Sequence, residues 1–413
     1  MSETLVPAPP AAPTFDAWDS GSAGGATPTL TGSGRSTVLP VVHPSQGGLA
    51  LVPTLAERFA QLRTLGAGGL GEVTLARDND IGRMVAIKRI LPGRASRQAI
   101  ARFVQEIRTV GRLEHPNIIP IHDVGQDEDG SLFFVMKYVE GLTLEALIAG
   151  LRDGDRTLHR AWPFERRVQV FAELLSAVAF AHAKGVIHRD LKPANVMIGG
   201  YGEVLLLDWG IARSGELLAV EGDGLPGAAP GADRGGRSTR QGALLGTPLY
   251  MSPEQARGED VDERSDVYAL SVILYELLTL HHYLEGRESL EDILEGVQHH
   301  HPTLATLVRS PLQEAVPMDL SWYLRQGLHK DPSLRYPTVQ AMIDRLDRRA
   351  QGDIPVECHL TLVKRVTRMA LSFMDRHPML VSGALMVALM GVLAVLLSAA
   401  VGILAGAVVV LGT

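Results

Sequence analysis

His188-Arg189-Asp190-Leu191-Lys192-Pro193-Ala194-Asn195 packs five side chains able to handle protons, phosphates or metal ions into eight residues, between an apolar stretch with helical spacing and the run Val196-Met197-Ile198. A polar loop held between buried elements is where binding and catalytic groups sit on a rigid scaffold. Thirteen residues after Asn195, the apolar run Val204-Leu205-Leu206-Leu207 ends in Asp208-Trp209-Gly210, which puts a carboxylate at the end of a buried strand. A carboxylate and an amide oxygen are the hard ligands that Mg²⁺ prefers. Such a pair holding a metal triphosphate, with a second carboxylate, Asp190, facing an acceptor hydroxyl, is the minimum that phosphoryl transfer asks of a protein.

Upstream, Gly66-Ala67-Gly68-Gly69-Leu70-Gly71 falls between two predicted strands and is followed by Val73. A dinucleotide fold would need that pattern between a strand and a helix, so a Rossmann site is disfavoured. Glycines let backbone amides approach phosphate oxygens, and the same run also reads as a plain tight turn. Val85-Ala86-Ile87-Lys88 places a lysine on an apolar strand, on the face of Ala86. Glu106 lies 18 residues later on a predicted helix. A Lys–Glu pair there would hold the ammonium against phosphates.

The surrounding chain organises into two lobes. Between Phe59 and Glu140, segments Gln61–Leu65, Glu72–Arg77, Met84–Ile90 and Leu132–Tyr138 read as strands. Ala95–Leu113 instead carries Ile100, Phe103, Val104, Ile107, Val110 and Leu113 at helical spacing. Beyond Gly141, helical stripes run over Pro163–Lys184, Asp262–Leu280 and Met318–Leu328. Residues 1–56 are rich in Pro, Ala, Gly, Ser and Thr and read as a disordered arm without the basic start and apolar run of an export signal. One cysteine, Cys358, excludes an intramolecular disulfide, and a net charge of -7 gives no footprint for nucleic acid.

The series Gly66-x-Gly68-x-x-Gly71-x-Val73, Val85-Ala-Ile-Lys88, Glu106, His115-Pro-Asn117, His188-Arg-Asp190-Leu-Lys192-Pro-Ala-Asn195, Asp208-Trp-Gly and Ser252-Pro-Glu254 resembles the protein-kinase signature set over about residues 59 to 349. Lys192, two residues after Asp190, and Gly246-Thr-Pro-Leu-Tyr-Met-Ser-Pro-Glu-Gln255 resemble the bacterial, eukaryotic-like (Hanks-type) serine/threonine kinases in particular. The resemblance implies an α+β, two-lobed kinase-like fold over 57–350, with an N-lobe at 57–140, a C-lobe at 141–350 and a long activation loop at 208–254. It implies ATP with Mg²⁺, or alternatively Mn²⁺, protein acceptors with Ser or Thr hydroxyls, and a homodimer for trans-autophosphorylation.

Position by position, the resemblance gives Asp190 the acceptor hydroxyl, Lys192 the γ-phosphate, Asn195 and Asp208 the metal, and Lys88, paired with Glu106, the α/β-phosphates. Leu65, Gly66, Ala67, Gly68, Gly69, Leu70 and Gly71 would cover the nucleotide. Val73 and Ala86 would roof the adenine and Met197 floor it, behind Met136 as gatekeeper and beside the Lys137-Tyr138-Val139 hinge. Asp266 resembles the aspartate that braces the catalytic loop, and Arg335 the partner of Glu254.

Two departures stand out: Trp209 replaces the usual Phe, and a Gly-rich stretch within 215–236 lengthens the span from Asp208 to Glu254 to 46 residues. They favour the competing reading of a catalytically silent membrane scaffold, which the intact Lys88, Asp190, Asn195 and Asp208 oppose. A small-molecule kinase is opposed by Gly246-Thr247-Pro248, which resembles a peptide-binding segment. Arg189 suggests activation by phosphate at Ser238 or Thr239, with Thr247 contacting the catalytic loop. His299-His300-His301, near His281 and His282, lie contiguously and do not converge as metal ligands would.

Residues 379–413 carry no charge over 35 positions, longer than any soluble core helix requires, and Lys364, Arg365, Arg368 and Arg376 precede them in the basic segment 351–378. The expectation is a C-terminal transmembrane helix, crossing the cell inner membrane once, with the kinase domain cytoplasmic and little folded beyond the bilayer.

Overall fold

The computed structural model describes residues 57–209 apart from 69–70 and 92–95, residues 248–353, two strands at 41–45 and 48–52, residues 37 and 39, and scattered helical positions from 363 to 398. The chain divides into two compact units, Met1–Val316 with Tyr323–Ile343, and Pro317–Trp322 with Asp344–Thr413.

Strands β1 (Val41–Ser45) and β2 (Gly48–Val52) pair antiparallel, with Val41 opposite Val52. This hairpin lies in the stretch expected to be a disordered arm. Branched and apolar residues flanking Gln46-Gly47-Gly48 supply a strand-and-turn pattern that the Pro/Gly/Ser composition of the region as a whole conceals.

The first lobe is built on β3 (Phe59–Ala67), β4 (Gly71–Asp78), β5 (Arg83–Ile90), β6 (Ile121–Gln126) and β7 (Leu132–Lys137), in the antiparallel order β3-β4-β5-β7-β6. Strand period places Phe59, Ala76, Val85, Ile87, Phe133 and Val135 in one buried cluster, with Phe59 and Phe133 edge to face at 6.4 Å. The opposite face carries Ala86 opposite Met136 and Lys88 opposite Phe134. Helix α1 (Arg97–Val110) is capped by Ser96, whose side chain accepts from the Ala99 amide, and its Phe103 ring meets Phe134 at 5.3 Å. That contact carries Glu106 to the Lys88 face. Ile100, counted in the apolar stripe, is exposed.

The second lobe contains α2 (Leu144–Arg152), α3 (Arg156–Ala161), α4 (Phe164–Ala183), α5 (Pro253–Arg257), α6 (Glu263–Thr279), α7 (Leu290–His299), α8 (Met318–Gly327) and α9 (Val339–Ala350). Every α6 residue from Ser265 to Thr279 is buried, so this helix is the centre of the lobe. A small sheet of β8 (Gly141–Thr143), β9 (Val196–Gly199) and β10 (Val204–Leu206), in the order β10-β9-β8, lies where the chain enters the lobe. Asn117 ties the lobes together: its amide donates to Glu173 on α4 (3.2 Å) and to the Val204 carbonyl (2.9 Å), while its own carbonyl accepts from the Leu206 amide. Strand β10, which ends two residues before Asp208, is thereby fixed to the chain leaving α1.

In the second unit, Arg349 donates to Asp319 at 2.6 Å, both buried. Among the described residues no helix is long and apolar enough to cross a membrane. Described positions between 378 and 398 are helical with exposed apolar side chains such as Met379, Leu389 and Leu393, and 399–413 lie outside the described residues.

Candidate active site

Lys88 Nζ donates to Glu106 Oε1 at 2.7 Å and to Asp208 Oδ1 at 2.6 Å. Burial alone would pull the ammonium pKa down, but Asp208 and Glu106 more than reverse that and raise it above the ordinary lysine value. Burial pushes the Glu106 carboxyl up, against the pull of Lys88. A charged lysine therefore stands between the β5 strand, the α1 helix and the Asp208 carboxylate.

The 188–195 loop is pinned by a fully buried carboxylate. Asp266, near the start of α6, accepts from the His188 amide (2.8 Å), the Arg189 amide (2.9 Å) and His182 Nε2 (2.7 Å). Burial would raise the Asp266 pKa, and the His182 hydrogen bond, the neighbouring imidazoles and the backbone donors bring it below the usual value. This grip sustains at Arg189 a backbone that ordinary residues avoid, φ +66°, and Asp208 also stands at positive φ, +42°. Such conformations cost roughly 1–3 kcal/mol each and persist where the surroundings over-determine them. His188 is buried, which lowers its pKa. Its Nδ1 accepts from the Asp190 amide (3.3 Å), so Nε2 carries the proton and donates to the Leu207 carbonyl (3.3 Å), linking the catalytic loop to the residue before Asp208.

Lys192 Nζ lies 3.0 Å from Asp190 Oδ2. Asn195 Nδ2 donates to the Asp190 carbonyl (3.0 Å), which leaves the amide oxygen as the group available to a cation, and the Leu207 amide donates to the Asn195 carbonyl (2.8 Å). The donor set at Asn195 and Asp208, one amide and one half-exposed carboxylate, fits a divalent cation completed by phosphate oxygens and water. Among the described residues no group of three or more His, Cys, Asp or Glu could hold a metal alone.

Ala86, Met136 and Val139 are buried, and Val73, Tyr138 and Met197 are half-buried. Val73 lies opposite Lys88 across β4 and β5, and Met197 opposite Thr143 across β8 and β9. In the glycine loop, the Gly68 amide donates to the Gly71 carbonyl (2.8 Å), and Leu65, Gly66, Ala67 and Gly68 are exposed. A Cβ on Gly71 would stand 1.9 Å from the Arg89 carbonyl oxygen, so the close approach of β4 to β5 requires glycine there. Gly69 and Leu70 lie outside the described residues, as do Ser238, Thr239 and Thr247.

Trp209 is buried against His188, ring centroids 4.7 Å apart, and its indole N–H has no partner among the described residues. Glu254 and Arg335 form a buried, two-pronged ion pair at 2.7 and 2.8 Å. Sequence reasoning missed the lobe-bridging role of Asn117, the His182 contact to Asp266, and Gln255, whose Nε2 donates to the Arg189 carbonyl at 3.0 Å.

The family model described as Protein kinase domain matches residues 59–345. The chain belongs to the protein kinase family. This kinase domain is similar to the serine/threonine-protein kinase PknD of Protochlamydia amoebophila, 34% identical over 315 residues that cover 73% of this chain and 31% of that protein. It is also similar to PknD of Chlamydia abortus, 33% identical over 302 residues covering 72% and 31%. The chain thus spans about a third of the length of the curated relatives it matches. Among solved structures, a double mutant of the Mycobacterium tuberculosis PknI kinase domain aligns with a TM-score of 0.50 and 24% identity, covering 71% of this chain and 96% of that one, a likeness of fold.

Proposed function

We propose that this kinase domain transfers the γ-phosphate of ATP to serine and threonine hydroxyls of proteins. The observation that carries the reading is the double engagement of Lys88 by Glu106 and Asp208, with Asp190, Lys192 and Asn195 held on one braced loop. Catalysis of this kind is positioning plus electrostatics, and those groups are preorganised. Lys88 holds the α/β-phosphates, Asp190 orients the acceptor hydroxyl and accepts its proton, and Lys192 steadies the transferring phosphoryl group. Mg²⁺ or Mn²⁺ at Asn195 and Asp208, when bound, neutralises charge on the triphosphate. Val73, Ala86 and Met197 enclose the adenine beside Met136, Tyr138 and Val139. Incubation with γ-labelled ATP, Mg²⁺ and a generic protein acceptor tests the reading: label on Ser and Thr is expected, and absence of transfer refutes it.

Two finer parts complete the proposal. Phosphate at Ser238 or Thr239 orders the loop through Arg189, whose Nε is buried with no partner among the described residues. Fully active protein unmodified at both positions by mass spectrometry would refute it. The uncharged run 379–413 anchors the chain in the inner membrane, with the basic residues 364, 365, 368 and 376 and the kinase domain on the cytoplasmic side. About 20 residues cross a bilayer core. Deleting 379–413 should release active kinase from membranes, and a full-length chain that fractionates as soluble without detergent would contradict the anchor.

A further inference from the structure

Gln255 stands at a junction between the catalytic loop and the segment leading into α5. Its Oε1 accepts from the Ser252 amide (2.9 Å) while the Ser252 side chain accepts from the Gln255 amide (3.3 Å), a reciprocal cap on α5. The other end of the same side chain points elsewhere: Nε2 donates to the carbonyl of Arg189 at 3.0 Å. Arg189 is the residue held at φ +66°, and its amide and that of His188 are already committed to Asp266. The Arg189 carbonyl that Gln255 engages lies immediately before Asp190. A cap alone is satisfied equally by glutamate or glutamine; only glutamine also offers a donor.

We infer that Gln255 is a positioning residue for the catalytic loop: its amide clamps the Arg189 carbonyl and so holds Asp190 in register with the 248–252 segment that precedes α5. Resting on the kinase reading, this assigns Gln255 a task beyond helix capping. The left-handed turn at Arg189 is closed on both sides, by Asp266 at its amides and by Gln255 at its carbonyl.

Gln255→Glu separates the two tasks, because an ionised carboxylate still accepts from Ser252 but presents an acceptor to an acceptor at Arg189. Once protonated, the same side chain regains a donor for the carbonyl. Facing a carbonyl oxygen favours the protonated form, so acid restores the clamp in the variant, whereas the capping bond to the Ser252 amide favours the ionised form and would weaken on acidification. His188, Arg189, Asp190 and Lys192 on the loop, Tyr250 in the preceding segment, Glu254 and Arg257 on α5 and Asp266 on α6 are the charged and titratable groups that meet there, and their titration enters the rates of wild type and variant alike.

The full-length chain in detergent is assayed for transfer from ATP to a protein acceptor at pH 8 and at pH 6. Gln255→Glu should lower kcat about tenfold at pH 8, the size of one lost hydrogen bond plus the new repulsion, with KM for ATP within about twofold. Its rate relative to wild type should be higher at pH 6 than at pH 8, while that of Gln255→Ala is equally low at both. Near-wild-type kcat for Gln255→Glu at pH 8, or a relative rate that does not rise with acid, overturns the inference. Amide hydrogen exchange over residues 188–190, which needs no turnover, reads the clamp even if the wild-type chain transfers no phosphate and the kinase reading falls. Exchange at least about threefold faster in Gln255→Glu at pH 8 supports the clamp, and unchanged exchange refutes it.

Discussion

Replacing Arg335 by leucine should unfold this protein more readily than any exchange on its surface. The guanidinium donates to Glu254 Oε1 (2.7 Å) and Oε2 (2.8 Å) and to the carbonyls of His329 (2.8 Å), Arg264 (2.8 Å) and Lys330 (3.1 Å), and its side chain is 0% exposed. Leucine fills part of the space but leaves Glu254 buried with, among the described residues, only the Ser265 hydroxyl as a side-chain donor. Breaking a buried ion pair by removing one partner costs about 3–5 kcal/mol. The proton affinity of Glu254 gives an independent scale. Burial would raise its pKa, yet Arg335 and Ser265 bring it from 4.5 to about 2, and at about 1.4 kcal/mol per unit that is on the order of 3 kcal/mol. Because the folded-state pKa is depressed, this contribution is present above the unfolded pKa of 4.5 and disappears as the pH falls from there towards about 2. Thermal denaturation of the full-length chain at neutral pH should therefore show a midpoint roughly 6–15 °C lower for Arg335→Leu, and the gap should narrow below the unfolded carboxylate pKa. A loss below about 1 kcal/mol, or a gap that widens in acid, would refute the reasoning.

Lys88→Met keeps the length of the side chain but leaves Glu106 and Asp208 without their shared cation, so ATP KM should rise and turnover fall about 10²-fold in steady-state kinetics, with folding intact by circular dichroism. Trp209→Phe removes a buried indole N–H with no partner among the described residues while keeping a ring against His188. The cavity left by the smaller ring opposes the relief of the unpartnered N–H, so the change in unfolding free energy should stay within about 2 kcal/mol of wild type by thermal denaturation, and a larger loss would refute the reading.

Most of the site's parts were legible because each depends on local chemistry. Strand period put Ala86 and Lys88 on one face of β5, and helical spacing put Glu106 on α1, facing it. The polar run 188–195 announced itself by interrupting apolar sequence. What escaped were contacts whose partners lie far apart in sequence: Asn117 with Glu173 and Val204, His182 with Asp266, and Gln255 with Arg189. Each of those residues satisfies an ordinary local pattern, a turn, a helix end or a cap, and nothing local reports the distant acceptor. Strand β6 escaped for a related reason. Its Ile121-His122-Asp123-Val124-Gly125-Gln126 is polar and holds a glycine, and it becomes a strand by pairing with the apolar β7, where Gly125 makes room for the Phe133 ring.

Asp190 is bonded to Lys192 on its own loop and is assigned no phosphate, so Asp190→Asn should leave ATP affinity within about twofold while transfer of γ-labelled phosphate to a Ser/Thr protein acceptor falls at least about 10²-fold. Near-wild-type transfer by the purified Asp190→Asn protein would contradict the account.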